Sequence, residues 1–405
     1  MRFLALLLIT TVFAACGQTT APCSPATCGG CCTADGQCVD GSADLACGNA
    51  GLNCNVCSGG QSCVSKRCEF GQMTVDAGTE VDAGMPIVAP VETWTWADFP
   101  NSACGNGVAT GLGVSISTRS KDVLIYLMGG GACWNALTCQ FAATNISEGY
   151  TSASFAADTT TRAPPFNRTN VNNPFKDMSF VFVPYCTGDV HAGDAVQNYP
   201  SPTPQVPART VHHKGGKNME AFLLRLKDTF PDAERVFVSG SSAGAFGAQL
   251  NYERVAATWP NAEVHVFADC GQMINPQGNL LTEWVTNWGM QIPADCVGCA
   301  TDFAKFPGYL FGKYPNRRFG LLGYTQDGTL RQFFGLDAAT FQTRTLQLAT
   351  DAYDPRTNAK YFILAGSNHV MLGDYFTITA PGGPTLLDWS KRFVSGDAAW
   401  ANVKP

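Results

Sequence analysis

The chain has 405 residues, of which 45% are hydrophobic and 14% charged, enough apolar material for one large core and a smaller unit. A net charge of −6 with scattered Lys and Arg residues excludes a basic surface for nucleic acid. The 18 cysteines indicate an oxidising compartment, because disulfides seldom persist in the cytosol.

The amino terminus has the features of a signal peptide, which we predict over 1–15. Arg2 precedes an apolar run over 3–9 that is too short to cross a bilayer. No later stretch is long and apolar enough to be a membrane span. The sequence therefore predicts export to the cell envelope, the cell surface or the medium.

The residues after this run resemble a bacterial lipoprotein processing site. In Val12-Phe-Ala-Ala-Cys16-Gly17, small residues precede a cysteine, which implies that Cys16 is lipidated and that 16–22 form a membrane tether. Gly17 rather than Asp after the cysteine fits sorting to an outer membrane. The alternative is ordinary secretory cleavage after Ala14 or Ala15.

The segment 23–68 contains ten cysteines among Gly, Ser, Asp and Asn residues, with almost no large apolar side chain. Because it lacks His and is expected to be exported, we predict a disulfide-rich module with five bridges of unassigned pairing rather than a zinc site. Residues 69–90 are small, acidic and free of Trp and Tyr, which is typical of a flexible linker.

Residues 91–405 form the large predicted domain, in which apolar strands alternate with helices. Such continuous apolar strands indicate an α/β fold, specifically an α/β-hydrolase-like, mostly parallel sheet with helices on both faces. The predicted strands cover 123–128, 180–185, 236–238, 263–268, 319–324 and 361–365, with a helix over about 217–230. Catalytic groups in such a sheet lie beyond the carboxyl ends of the strands.

Ser242 is the candidate nucleophile. It follows an apolar strand within Gly240-Ser-Ser242-Ala-Gly244, and a helix rich in Gly and Ala comes next. This arrangement is typical of a nucleophile elbow, in which the serine hydroxyl projects at the edge of the sheet. The N–H of Ala243, at the start of that helix, would face an oxyanion beside the serine.

A serine nucleophile needs a base and an orienting acid. Of the five histidines, His369 is the best base because it follows the last predicted strand. His265 falls inside a strand, and the adjacent His212 and His213 are expected at the surface before a helix. Asp327 directly follows the strand over 319–324 and is the favoured acid, with Asp269 as the alternative.

Oxyanion donors are expected in the loop after the strand over 123–128. Met128-Gly-Gly-Gly131-Ala-Cys-Trp134 resembles the glycine-rich loop that esterases use at this place. Three successive glycines lose much conformational entropy on ordering, which exposed N–H groups around an anion would explain. We therefore predict Gly130, Gly131 and Ala132 as donors together with Ala243.

These motifs together resemble the pectin acetylesterase and Notum family of serine carboxylesterases over most of the large domain. The segments that carry the resemblance are Gly129-Gly-Gly-Ala-Cys133-Trp-Asn-Ala-Leu-Thr-Cys139, Val183-Pro-Tyr-Cys186-Thr-Gly-Asp189, Gly240-Ser-Ser-Ala-Gly244, Ala268-Asp-Cys-Gly271 and Leu386-Leu-Asp-Trp389. The resemblance implies that Ser242, Asp327 and His369 form the triad and that Cys133 and Cys139 are disulfide-bonded. Two residues depart from the family pattern, Ala132 and Cys270.

Other groups have alternative interpretations. Asp189, His191 and Asp194 would suit a metal cluster, but a hydrogen-bonded loop is favoured, and we predict neither a metal nor a cofactor. Cys296 and Cys299 are expected in structural disulfides rather than redox chemistry. Because seven cysteines lie between Cys104 and Cys299, one is free or bonded outside this region.

The sequence thus predicts an exported serine carboxylesterase that hydrolyses O-acyl, most simply O-acetyl, esters on a polysaccharide through an acyl-serine. Its partners would be the acylated carbohydrate or another O-acyl ester and, through the anchor, a membrane. One alternative is a fatty-acyl or lipid esterase with the same triad. The other is a carbohydrate-binding surface lipoprotein without catalysis, although the chain contains all three triad groups.

Overall fold

The computed structural model describes residues 22–57, 61–70, 85–158 and 164–405. These residues form two compact units, a small one that contains most of 22–57 and 61–70 and a large one that contains 85–158 and 164–405. The predicted signal peptide, the lipidation site at Cys16 and residues 71–84 of the predicted linker lie outside the described residues. In the described residues, no helix has the length and apolar character needed to cross a membrane.

The small unit is built from short antiparallel strand pairs cross-linked by disulfides. Its strands are β1 (Cys31–Cys32), β2 (Cys38–Val39), β3 (Ser42–Ala43), β4 (Ala46–Cys47), β5 (Gln61–Val64) and β6 (Arg67–Phe70). The bridges are Cys23–Cys32, Cys28–Cys38, Cys31–Cys54, Cys47–Cys63 and Cys57–Cys68. The predicted disulfide-rich module with five bridges is confirmed, and all ten of its sulfurs are used in bridges, which leaves none of them for the alternative zinc site.

The large unit contains an eight-stranded sheet with the order β16-β15-β14-β13-β9-β10-β8-β7. Its strands are β7 (Thr95–Phe99), β8 (Thr110–Ser115), β9 (Val123–Leu127), β10 (Ser179–Val183), β13 (Arg235–Ser241), β14 (Glu263–Asp269), β15 (Phe319–Tyr324) and β16 (Ala359–Leu364). The six strands from β16 to β10 are parallel, and β8 and β7 add an antiparallel edge. The predicted mostly parallel sheet is therefore confirmed.

Helices cover both faces of this sheet. They are α1 (Ala136–Phe141), α2 (Ser152–Ala157), α3 (Gly215–Thr229), α4 (Ala243–Leu250), α5 (Tyr252–Thr258), α6 (Leu280–Trp288), α7 (Lys305–Lys313), α8 (Gly328–Phe334), α9 (Ala338–Leu348) and α10 (Leu386–Ser395). Phe319 of β15 packs on Tyr252 of α5, whereas the adjacent Gly320 lies under Trp389 of α10. Because neighbouring residues of a strand point to opposite faces, α5 and α10 lie on opposite faces.

A two-stranded hairpin, β11 (Ala195–Tyr199) and β12 (Arg209–His213), overturns one prediction about the histidines. His213 lies in β12 and is buried rather than at the surface. Its ring bonds the Tyr199 hydroxyl at 2.9 Å and the Thr187 carbonyl at 2.9 Å. Two partners on buried strands and loops explain why a polar ring is accommodated there.

Three disulfides lie in the large unit: Cys104–Cys186, Cys133–Cys139 and Cys296–Cys299. Of the cysteines that the structure describes, Cys270 is the free one, and it is buried. Cys104–Cys186 closes a loop of 82 residues, a length at which cross-linking stabilises by about 4 to 5 kcal/mol in the chain-entropy model.

Candidate active site

Ser242 lies in a sharp turn between β13 and α4. Its φ of +56° is in the left-handed region, which a non-glycine residue occupies only when its surroundings hold it there. The Ser242 N–H donates to the carbonyl of Asp269 at 2.8 Å. A Cβ on Gly244 would lie 1.9 Å from the Leu127 carbonyl oxygen, so only glycine lets α4 approach β9 this closely.

Asp327 and His369 are hydrogen-bonded to each other, with 2.7 Å between Oδ2 and Nδ1. Asp327 is fully buried, while the His369 side chain is 21% exposed. The other carboxylate oxygen of Asp327 accepts the N–H groups of Thr329 and Leu330 and so caps α8. These three bonds fix the carboxylate, which in turn fixes the orientation of the imidazole.

The loops after β15 and β16 bring this pair together. Beyond the strands, the parallel ladder continues through the N–H groups of Thr325, Gln326 and Gly328. They donate at 2.9 Å to the carbonyls of Leu364, Gly366 and Ser367, respectively. Asp327 and His369 therefore lie side by side, just beyond the ends of the neighbouring strands β15 and β16.

The glycine loop after β9 passes beside Ser242. Gly131 has a φ of +77°, and a Cβ there would lie 2.0 Å from the Ala142 carbonyl oxygen. The N–H of Ala132 donates to that same carbonyl at 3.2 Å. Ala132 was predicted as an oxyanion donor, but its N–H is bonded to Ala142 and is therefore not free to bind an oxyanion. Ala243, as the first residue of α4, has no acceptor within the helix for its N–H.

His191 supports the start of this loop. Its Nε2 atom is 2.8 Å from the Met128 carbonyl, so this nitrogen carries the proton and donates. Burial lowers the pKa of His191 to about 4, which keeps the ring neutral near pH 7. The ring also packs on Tyr185, with 4.7 Å between the centroids. His191 is therefore part of the scaffold of the glycine loop.

Two cavities meet at Ser242 and Gly131. The first has an almost entirely apolar lining that includes Phe246, Trp284 and Phe333. The second is bordered by Tyr126, Gly129, Gly130, Ser242 and His369. Ser242 and His369 thus share a cavity, and space is available on both sides of the serine.

The Nδ1 atom of His369 is bonded to Asp327 and not to Asp269, the alternative acid. Its carboxylate accepts hydrogen bonds from the Ser241 hydroxyl and from the N–H groups of Met371 and Leu372. The free Cys270 follows it, and its sulfur accepts the N–H of Val370 at 3.2 Å. The Cys270 sulfur also lies within 4.8 Å of ligand atoms of Asp327 and His369.

Asp189, one of the residues considered for a metal cluster, organises a loop. Its carboxylate accepts bonds from the Thr187 hydroxyl and from the N–H groups of His191, Gly193 and Gly215. Asp194 pairs instead with Lys214 at 2.7 Å. The hydrogen-bonded loop is therefore the interpretation that agrees with the contacts.

Sequence reasoning missed the aromatic lining of the first cavity. Its walls come from α4, α6, α8 and the segment before α7, which are distant in sequence. The spacing of Trp284 and Trp288 on α6 was a usable signal, since residues four apart share a helix face. Both tryptophans are buried and stacked, with 5.7 Å between the centroids.

Part of the chain is similar in sequence to known proteins. Residues 97–291 match the sequence model of the pectinacetylesterase family, an interval that includes the glycine loop and Ser242 but not Asp327 or His369. The chain is also similar to proteins named palmitoleoyl-protein carboxylesterase NOTUM. That of Schmidtea mediterranea is 27% identical over 164 residues, or 39% of this chain and 29% of the relative.

Two vertebrate relatives give similar values. The Homo sapiens protein is 25% identical over 187 residues, covering 42% of this chain and 34% of the relative. The notum2 protein of Xenopus laevis is 25% identical over 183 residues, covering 42% and 35%. The chain thus spans about a third of the length of the curated relatives that it matches. Family and relatives together support carboxylic ester hydrolysis.

Proposed function

We propose that this chain, whose residues 97–291 match the pectinacetylesterase family model, is a serine carboxylesterase that hydrolyses O-acetyl esters. The natural substrate would be an acetylated extracellular polysaccharide. One observation carries the proposal: Ser242, in a left-handed strand-to-helix turn, lines the same cavity as His369, which is bonded to Asp327.

In the first half of the proposed reaction, Ser242 Oγ attacks the ester carbonyl carbon. His369 Nε2 accepts the serine proton, and the buried Asp327 carboxylate stabilises the imidazolium through Nδ1. The imidazolium then donates the proton to the alcohol oxygen as the carbon–oxygen bond breaks. An acyl-serine remains and the alcohol leaves.

In the second half, His369 takes a proton from water, and the resulting hydroxide attacks the acyl-serine. The proton returns to Ser242 Oγ, and the carboxylic acid is released. In both halves the carbonyl oxygen becomes an oxyanion beside Ser242. The proposed donors to it are the N–H groups of Gly130, Gly131 and Ala243, and each such donor typically contributes about a hundred-fold or more in rate.

The two cavities provide separate places for the two parts of an ester. The apolar cavity beside Ala243 and Phe246 suits the acyl group, because most of its lining side chains are apolar and would bind a sugar poorly. The larger cavity contains the His369 side, where the leaving oxygen must receive its proton. We therefore assign the acyl group to the first cavity and the alcohol to the second.

A fatty-acyl ester is the second candidate substrate. The first cavity is lined almost entirely by apolar and aromatic side chains, which an acyl chain longer than acetyl would also contact. The relatives above are named for palmitoleoyl-protein carboxylesterase activity. A series of p-nitrophenyl esters from acetate to palmitate separates the candidates: an optimum at acetate supports the acetylesterase, and an optimum at eight carbons or more supports the lipid esterase.

We also propose that the protein acts outside the cytosol. The eight disulfides in the described residues support an oxidising compartment. Attachment to a membrane through a lipidated Cys16 remains a prediction from the sequence. Mass spectrometry of the amino-terminal peptide from the native host tests it, since lipidation adds acyl groups to Cys16 and simple cleavage does not.

Hydrolysis of p-nitrophenyl acetate by the full-length protein tests the proposed activity. We expect turnover by the parent and a loss of several orders of magnitude in kcat for Ser242→Ala, on the order of a million-fold in the best-studied case. Ser201→Ala, at an exposed loop position, is the matched control and should retain parent activity. A folded but inert parent, or an equally active Ser242→Ala variant, would reject the proposal.

A further inference from the structure

The buried carboxylate of Asp269 is bonded to both loops that carry the proposed catalytic groups. Oδ2 accepts the Ser241 hydroxyl at 2.7 Å and the Leu372 N–H at 3.0 Å, and Oδ1 accepts the Met371 N–H at 2.8 Å. The backbone carbonyl of Asp269 accepts the Ser242 N–H at 2.8 Å. One residue at the end of β14 therefore joins the nucleophile turn to the segment after His369.

Both joined segments contain a backbone that needs support. Ser242 and Val370, which are next to the bonded residues, have φ values of +56° and +57°. For a β-branched residue such as Val370 this conformation is strongly unfavourable. Such strain persists only when surrounding contacts hold it. The Asp269 bonds to Met371 and Leu372 are contacts of this kind.

Asp269 also places a second carboxylate near His369. The titratable groups around Asp269 and His369 come from several elements. They are Tyr126 of β9, Cys270 after β14, Tyr324 of β15 and Asp327 before α8. Burial raises the pKa of both phenols and of the thiol, so these three groups are neutral near pH 7. The carboxylates of Asp327 and Asp269 are two groups in this cluster that can stabilise a protonated His369.

We propose that Asp269 is a positioning residue, which sets the placement of His369 relative to Ser242 and supplies a second negative charge for the imidazolium. The inference rests on the proposed esterase function. Asp327 touches the imidazole directly, whereas Asp269 acts through Ser241 and the backbone of Met371 and Leu372. Two readouts follow, because placement affects kcat and the second charge affects the pH dependence of the reaction.

The test is Asp269→Asn in the full-length protein, assayed with p-nitrophenyl acetate. Asn has nearly the same size but lacks the charge, and its NH2 group meets a donor where the carboxylate had accepted. We expect kcat to fall by about ten- to a hundred-fold with little change in KM. We also expect the acidic limb of kcat/KM to move to lower pH, because losing a nearby negative charge makes the imidazolium of His369 less stable.

Asp337→Asn is the matched control, since Asp337 makes the same type of bond to the Thr340 N–H but lies exposed before α9. Neither kcat nor the pH profile should change in it. A folded Asp269→Asn protein with kcat within threefold of the parent overturns the inference, and so does a reduced kcat with an unmoved acidic limb. If Asp269→Asn does not fold, Ser241→Ala replaces it, because this change removes one hydrogen bond to Asp269 but keeps the carboxylate charge. We expect Ser241→Ala to lower kcat without moving the acidic limb of kcat/KM. An unchanged kcat in Ser241→Ala overturns the inference.

The same assay separates this inference from the proposed function. An inert parent, or activity that survives Ser242→Ala, rejects the esterase proposal. Serine-dependent activity in the parent together with an unaffected Asp269→Asn variant rejects the positioning role alone.

Discussion

The imidazole of His369 and the carboxylate of Asp327 are joined by a hydrogen bond of 2.7 Å at the edge of the sheet, although 42 residues separate them in sequence. The bond leaves Nε2 as the nitrogen able to act toward Ser242, because Nδ1 is held by the acid. The same carboxylate caps α8 through Thr329 and Leu330. Replacing Asp327 therefore separates an electronic effect from a capping effect.

We predict that Asp327→Asn lowers kcat on p-nitrophenyl acetate by on the order of 10⁴-fold, because Asn favours the wrong imidazole tautomer and supplies no charge. Stability should fall only slightly, since Asn caps helices about as well as Asp. Steady-state kinetics and denaturant unfolding measure the two effects. A large loss of stability with nearly normal kcat would assign Asp327 to capping alone.

Gly131→Ala should impair catalysis through the glycine loop. An alanine there adopts an unfavourable left-handed conformation at about 1–2 kcal/mol, and its Cβ meets the Ala142 carbonyl, so the loop must shift. We expect kcat to fall about a hundred-fold with KM little changed. Gly278→Ala is the control: its φ is also positive, at +58°, but no atom lies within 4 Å of the added Cβ. Equal kinetic effects in both variants would contradict a role for the loop.

Phe333→Ala should shift acyl-chain preference toward longer esters. Phe333 lines the apolar cavity beside Gly131 and is partly exposed, so its removal opens the cavity with a smaller stability loss than a buried Phe would cause. We expect the ratio of kcat/KM for octanoate to that for acetate to rise by about tenfold or more. Phe141→Ala, at a residue 73% exposed and outside the cavity lining, should leave the ratio unchanged. An unchanged ratio in Phe333→Ala would show that the acyl group does not bind in this cavity.

His265 should make the protein less stable in acid. It is buried in β14, and burial together with Arg318, Arg317 and Arg235 lowers its pKa to about 2. The unfolded chain binds a proton on this residue below about pH 6.5 while the folded protein does not, so stability falls as pH drops from about 6.5 toward 2. The contribution is at most about 1.4 kcal/mol for each pH unit.

The measurement is denaturant unfolding at several pH values between 8 and 4 for the parent and His265→Gln. The parent should lose more stability than the variant over this range. Parallel pH dependences in the two proteins would show that His265 does not contribute.

The sequence predicted the site residues because strand order restricts where they can lie. Ser242, Asp327 and His369 each follow an apolar strand, and parallel strands place such residues at one edge. Their catalytic roles remain a prediction until activity is measured. The sheet followed from the same strands, while the antiparallel β7 and β8 were not predicted, because Gly111 and Gly113 interrupt the apolar pattern in β8.

Contacts between side chains that are distant in sequence could not be predicted from local sequence patterns. His213 was expected at the surface, but Tyr199 and Thr187, from separate segments, provide the partners that bury it. The bonds from Asp269 to Met371 and Leu372 span more than 100 residues, and no local pattern indicates them. The hydrogen bond from the Ala132 N–H to the Ala142 carbonyl was not predicted for the same reason.

Labelling of the intact protein with a fluorophosphonate ester, followed by peptide mass spectrometry, tests directly whether Ser242 is the activated nucleophile. We expect one phosphonylated residue, Ser242, because the reagent needs a serine activated by a base. His369→Ala should slow the labelling by several orders of magnitude. A label on another residue, or equal labelling rates in the parent and His369→Ala, would contradict the assignment of Ser242 and His369 as nucleophile and base.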